Sequence, residues 1–177
     1  LNIIDKSEDI ESLAMLEKDN GDVYFVPAFS GLFSPHWDET ARGSLFGLTR
    51  FSNKSHLARA VLESVAFQTY ELLESMEKDL DTEFESLKVD GGMVANNLLM
   101  QFQSDLLDKS IHSQEINEIT ALGVGVASYL YVKDLPLSSI SNYISSSITW
   151  NPNMSNETRI NSLESWYKAI EKAKNWL

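Results

Sequence analysis

Val89-Asp90-Gly91-Gly92-Met93-Val94-Ala95-Asn96-Asn97 is the junction from which the rest of the chain can be ordered. The apolar run that starts at Leu87 reads as a strand, Asp90 ends it, and Gly91-Gly92 break it. A helix follows almost at once, with Ala95, Leu98, Leu99, Phe102 and Leu106 as its inner stripe. Glycines at a strand-to-helix joint let a flat or anionic ligand lie against the backbone, and the first amides of the helix favour phosphate. An asparagine at Asn96 can meet an adenine edge, because its amide carries a donor and an acceptor. The same residues also suit a purely structural turn, with Gly91-Gly92 bending the chain and Asn96 capping the helix. Spacing alone leaves both readings open, since this is neither a Walker loop nor a complete GxGxxG fingerprint.

Upstream, residues 7–18 predict a helix with Ile10, Leu13, Ala14 and Leu16 on one side, stopped by a left-handed turn at Asn20-Gly21-Asp22. Val23-Tyr24-Phe25-Val26 reads as a strand buried on both faces, and residues 44–48 as a second strand. Between them lies a loop rich in Gly, Pro and aromatics, expected to be packed. Residues 54–78 predict the longest helix, with Leu57, Val61, Val65, Leu72 and Met76 at helical spacing, and residues 79–85 an acidic loop. Downstream, residues 110–113 are a weaker strand signal. Residues 120–132 are apolar almost all round, where Gly123 and Gly125 suggest close approach to a sheet or ligand. Residues 138–147 are serine-rich but interleaved with Ile140, Tyr143 and Ile144, so no flexible linker is expected. Ser155 caps a last helix whose buried face is Ile160, Leu163, Trp166, Ile170 and Ala173. The alternation predicts one α/β domain with a partly parallel sheet.

The 177 residues carry 26 Asp and Glu against 14 Lys and Arg, a formal charge of −12. Such a field repels a nucleic-acid backbone or an anionic membrane, so no nucleic-acid partner is expected. A nucleotide is not excluded, since backbone dipoles and a metal ion can hold its phosphates. An apolar share of 43% supports a real core. With no cysteine, disulfides and thiolate chemistry are out. His36, His56 and His112 share no ligand spacing, so no metal site is expected from them. No apolar run is long enough for a transmembrane segment, and the acidic start is no secretory signal. The first residue is Leu1 rather than Met, which suggests a piece of a longer polypeptide.

Other candidate groups are weaker. Asp38 and Arg42 read as an ion pair holding the 30–38 loop, with Trp37 as its hydrophobic pin, or as the lining of a cleft. For His36 as a base, no carboxylate stands at a defined spacing. Glu63 is expected on a solvated or hydrogen-bonded helix face, and Ser30 has no G-x-S-x-G elbow around it.

Taken together, Val26-Pro27-Ala28-Phe29-Ser30-Gly31-Leu32, Trp37-Asp38 with Ala41-Arg42-Gly43, Gly47-Leu48-Thr49-Arg50, Leu62-Glu63-Ser64 with Gln68-Thr69, Val89-Asp90-Gly91-Gly92 with Ala95-Asn96-Asn97, Met100-Gln101-Phe102-Gln103-Ser104-Asp105 and Thr120-Ala121-Leu122-Gly123 stand in an order that resembles the glycerol kinases among the FGGY carbohydrate kinases. The resemblance implies an actin-like ATPase (ribonuclease H-like) α/β domain, a mixed sheet flanked by helices, with residues 1–177 forming the C-terminal, nucleotide-side domain. Carried over position by position, it makes Gly92 and Asn96 the cofactor-binding contacts to ATP or ADP. It places no catalytic or metal-binding residue in this chain. MgATP, with its Mg²⁺, would lie between this domain and an N-terminal one that precedes Leu1, and glycerol would be buried mainly by that N-terminal domain. The full-length enzyme would be a cytoplasmic homo-oligomer that makes sn-glycerol 3-phosphate, and this portion alone would be inactive. Another FGGY sugar or polyol kinase, or a catalytically silent nucleotide- or partner-binding module, are the alternatives. The blocks at 27–32 and 37–43 favour glycerol over xylulose or gluconate. Met93, where many relatives have Ala or Thr, and Val124-Gly125, where Ala-Ala is usual, depart from the pattern.

Overall fold

The computed structural model describes residues 3–114, 119–142 and 147–177. In chain order the elements are α1 (Asp9–Ala14), β1 (Tyr24–Val26), β2 (Ser44–Phe46), α2 (Lys54–Leu80), β3 (Ser86–Val89), a 3₁₀ turn (Gly92–Ala95), α3 (Asn97–Leu107), β4 (Ser110–Gln114), α4 (Ile119–Val132), a second 3₁₀ turn (Leu137–Asn142), β5 (Ser147–Trp150) and α5 (Asn156–Ala173). β1 and β2 pair antiparallel, Tyr24 opposite Phe46. The larger sheet has the order β3-β4-β5 and is mixed: Leu87 pairs with Ile111 in parallel, and Ile111 with Trp150 antiparallel.

The core is aromatic. Phe67 of α2 stacks on Trp166 of α5 with centroids 4.8 Å apart and planes 5° from parallel, and Phe102 of α3 meets the same ring edge-on at 5.5 Å. Three helices are thereby locked together through one ring, a geometry that aromatic quadrupoles favour. On its other side α3 holds the larger sheet: the Ser104 hydroxyl, fully buried, reaches the carbonyls of Lys109 (2.8 Å) and Trp150 (3.1 Å).

Local chemistry explains the termini. Asn53 caps α2 in a reciprocal capping box with His56, and Asp81 ends it in the left-handed conformation. Ser155 accepts from the Thr158 N–H at the start of α5. Gly21 and Asp22 both take positive φ before β1, as their sequence predicts.

Several expectations shift. α1 is a six-residue helix, and Leu16 lies outside it and exposed. β1 carries half-buried Tyr24 and Phe25 rather than two buried faces. α2 buries Ala58, Leu62, Ala66 and Phe67 with Glu63 and Glu71, while Leu72 and Met76 are exposed. Small residues bring its neighbours close, and distant partners satisfy the two carboxylates, so the most hydrophobic stripe is not the deepest. Ala95 is exposed in the 3₁₀ turn, and Ile160 is exposed on α5. A Cβ built on Gly123 or Gly125 meets nothing within 4 Å among the described residues, so neither glycine lies against the sheet there. Tyr143 and Ile144 of the serine-rich stretch lie outside the described residues.

Candidate functional site

Beyond β3 the chain is shaped by its own polar atoms. The Asp90 carboxylate accepts from the Gly91 N–H (2.7 Å), and Gly91 takes φ +98°, a conformation glycine allows cheaply. The Val94 N–H bonds back to the Gly91 carbonyl (3.1 Å), closing the 3₁₀ turn. Asn96, in extended backbone, caps α3 by accepting from the Leu99 N–H through Oδ1 (2.8 Å). From α1, Glu11 Oε1 takes the adjacent Leu98 N–H (2.9 Å).

This double capping alters one expectation. Two amides of the first turn of α3 already have side-chain acceptors, so they are not free for phosphate. The donors left open lie earlier: the N–H groups of Gly92 and Met93 find no acceptor among the described residues. The Asn96 Nδ2 likewise has no partner there.

The structural reading of Asn96 as a cap therefore holds, yet the turn is not packed shut. A Cβ placed on Gly91 or Gly92 meets nothing within 4 Å. The open side is the wall of a cavity of about 760 Å³. Its aliphatic lining comes from Ile4 and Ile10 near α1 and from Val61, Leu62 and Val65 of α2, with Met93, half exposed, on the turn itself. Asn96 and Glu11 are among the few polar groups. An apolar hollow with sparse, convergent polar atoms suits a flat heteroaromatic ligand. The contribution of α1 and α2 was not legible beforehand, because those residues lie tens of positions away from the glycines.

The other candidates resolve into structure. His36 Nε2 lies 2.7 Å from Glu71 Oε1, the carboxylate partner that no spacing revealed, and this pair ties the 30–38 loop to α2. Asp38 and Arg42 form no ion pair. Asp38 Oδ1 instead accepts from Thr40 Oγ1 and from the Thr40 and Ala41 N–H groups, and Oδ2 from the Asn175 N–H. Those bonds, the Thr40 hydroxyl first, hold its carboxyl down to about 2. Arg42 donates to the carbonyls of Glu39 and Ala41. Trp37 is 76% exposed, so it is no internal pin.

Glu63 is buried, its oxygens taken by Arg59 Nε (2.9 Å) and Asn20 Nδ2 (2.9 Å). Burial outweighs both donors and pushes its carboxyl up to about 7. A carboxyl raised in the folded state binds more protons there than in the unfolded chain between about pH 4.5 and 7. Its contribution to stability is therefore present in full below the lower value and lost as pH rises through the upper one, on the order of 2–3 kcal/mol. The melting midpoint is expected to fall by roughly 5–10 °C between pH 5 and 8. Thermal melts of the parent and Glu63→Gln check this: the slope should flatten in the variant, and an equal slope in both would refute it.

Comparison with solved structures defines the class. The chain superposes on the Plasmodium falciparum glycerol kinase solved with ADP at a TM-score of 0.88 and 34% identity, covering 97% of this chain and 34% of that one. A ligand-bound xylulose kinase from Lactobacillus acidophilus matches at 0.77 and 20% identity over 97% of this chain and 35% of that one, which speaks to fold alone. The fold is the actin-like one of these kinases. Residues 2–129 match the C-terminal domain of the FGGY family of carbohydrate kinases. A glycerol kinase from Brucella anthropi is 48% identical over 183 aligned positions, spanning 100% of this chain and 36% of that protein. The chain belongs to the FGGY family, and it spans about a third of the length of the curated relatives it matches.

Proposed function

We propose that residues 1–177 are the C-terminal, nucleotide-side domain of an ATP-dependent glycerol kinase that transfers the γ-phosphate of ATP to glycerol, giving sn-glycerol 3-phosphate in the cytoplasm. The observation that carries this reading is the open Gly91-Gly92 turn on the wall of an aliphatic cavity edged by Asn96. Glycerol is favoured over a sugar by the 34% and 48% identities to glycerol kinases, against 20% to the xylulose kinase.

Within that reading Gly92 lets the nucleotide lie against the backbone, and Asn96 Nδ2 donates to a ring nitrogen of the base while its Oδ1 stays on the Leu99 amide. Phosphoryl transfer asks mostly for positioning and charge stabilisation. Among the described residues no three His, Cys, Asp or Glu side chains converge as a metal cage. A Mg²⁺ ion carried on nucleotide phosphates and water needs no such cage. Among the described residues no helix is long and apolar enough to cross a membrane.

Calorimetric titration with ADP tests the assignment. Asn96→Asp keeps an acceptor for the cap but removes the amide donor. ADP affinity is expected to fall about fivefold, near 1 kcal/mol, with the melting midpoint little changed. Equal affinity in parent and variant would return Asn96 to capping alone. The chain by itself is expected to bind ADP weakly and to turn over no glycerol.

A further inference from the structure

We propose that Glu11 of α1 selects the base of the nucleotide: its carboxylate takes the exocyclic amino group of an aminopurine and turns away an oxopurine. The inference rests on the nucleotide reading above and adds to it a specificity residue that lies 87 positions from the amide it holds.

Glu11 and Asn96 stand side by side because the start of α3 brings them together. Leu98 and Leu99 are consecutive, and their N–H groups donate to Glu11 Oε1 (2.9 Å) and Asn96 Oδ1 (2.8 Å). Each side chain thus commits one oxygen to the helix end and keeps one polar atom. Glu11 Oε2 and Asn96 Nδ2 have no partner among the described residues. Both residues line the cavity of about 760 Å³. Glu11 is half-buried, so its second oxygen is only partly served by water. Glu8 lines the same cavity but is exposed, and water can satisfy it.

What the two caps leave over is an acceptor next to a donor. A carboxylate oxygen accepts, and an asparagine whose Oδ1 is held by a backbone N–H has its amino hydrogens to offer. Adenine carries the complement along one edge, an amino group that donates and an adjacent ring nitrogen that accepts. Hypoxanthine has the same fused ring with a carbonyl oxygen in place of the amino group, which sets acceptor against carboxylate. A site built to hydrogen-bond one group rejects the analogue lacking it, because its own half-buried polar atoms are then left unpaired. Glu8 and Glu11 are the charged residues lining the cavity, so no cation there reverses the sign.

Calorimetric titration of the whole chain with ADP and with inosine diphosphate, at up to about 5 mM ligand, tests this. The parent is expected to prefer ADP by at least about tenfold. In Glu11→Gln only the amide oxygen can accept from the Leu98 N–H, so the cap stays and the melting midpoint should hold within a few degrees. The atom left toward the cavity becomes an amino donor. The preference for ADP should then fall to about twofold or less, or reverse in favour of inosine diphosphate. Glu11→Ala, which also loses the cap contact, should weaken ADP more than inosine diphosphate. A Glu11 that only holds α1 against α3 would leave the ratio of the two affinities at its parent value in both variants. That result, or a parent that binds both nucleotides equally, would overturn the role of Glu11 while the nucleotide reading stands. A parent that binds neither nucleotide would overturn both.

Discussion

Gly92→Val is expected to lower ADP affinity by at least about thirtyfold, close to 2 kcal/mol, with a melting midpoint within a few degrees of the parent. The size of the effect follows from where the added atoms go. A Cβ on Gly92 meets nothing within 4 Å, so the valine does not collide with the protein; on the proposed reading, in which the nucleotide lies against this backbone, the added atoms stand in its way. The backbone accepts it, because Gly92, unlike Gly91 at φ +98°, is not held at positive φ. Loss of binding without loss of stability is the signature of a filled site, and calorimetry paired with thermal melts reads both. Carried into a full-length kinase of the kind proposed above, the substitution should lower kcat/KM for ATP by a similar factor while KM for glycerol stays near the parent value. Unchanged ADP affinity would mean that the nucleotide lies elsewhere.

That junction was readable because its determinants are local. Asp90, Gly91, Gly92 and Asn96 fix their own geometry through bonds spanning one to three positions. Helix α2 was readable as a helix for the same reason, from its apolar spacing. Its buried face was not. Glu63 can be buried because Asn20 reaches it from 43 positions away, and Glu71 because His36 reaches it from 35. No periodicity carries those partners, so hydrophobicity pointed to Leu72 and Met76, which remain exposed. The cavity was hidden for a related reason: its walls come from α1 and α2, and only the tertiary fold sets them beside the glycines. The resemblance to a kinase family indicated which turn to examine, while the packing shows that the turn is open.

Glycine also gives the largest stability effect expected in this chain, at a position the sequence does not distinguish from the others. Gly47 follows β2 at φ +81°, and a Cβ built there lies 1.8 Å from the Asp22 carbonyl oxygen and 2.9 Å from its carbon. Gly47→Ala must therefore tear the end of β2 from the turn that opens β1, or shift the 22–23 backbone and with it Val23, which is fully buried. Left-handed strain and overpacking each cost about 1–3 kcal/mol, so roughly 4 kcal/mol of destabilisation is expected, with a midpoint lower by about 10 °C or more. Gly123→Ala supplies the opposite sign on the same chemistry. It lies within α4, its Cβ faces open space, and alanine replaces the residue least suited to a helix interior, so stability should rise by up to about 1 kcal/mol. Denaturant unfolding of the two variants against the parent checks the contrast. Similar stability in all three proteins would mean that the approach of β2 to the Asp22 turn does not constrain the fold.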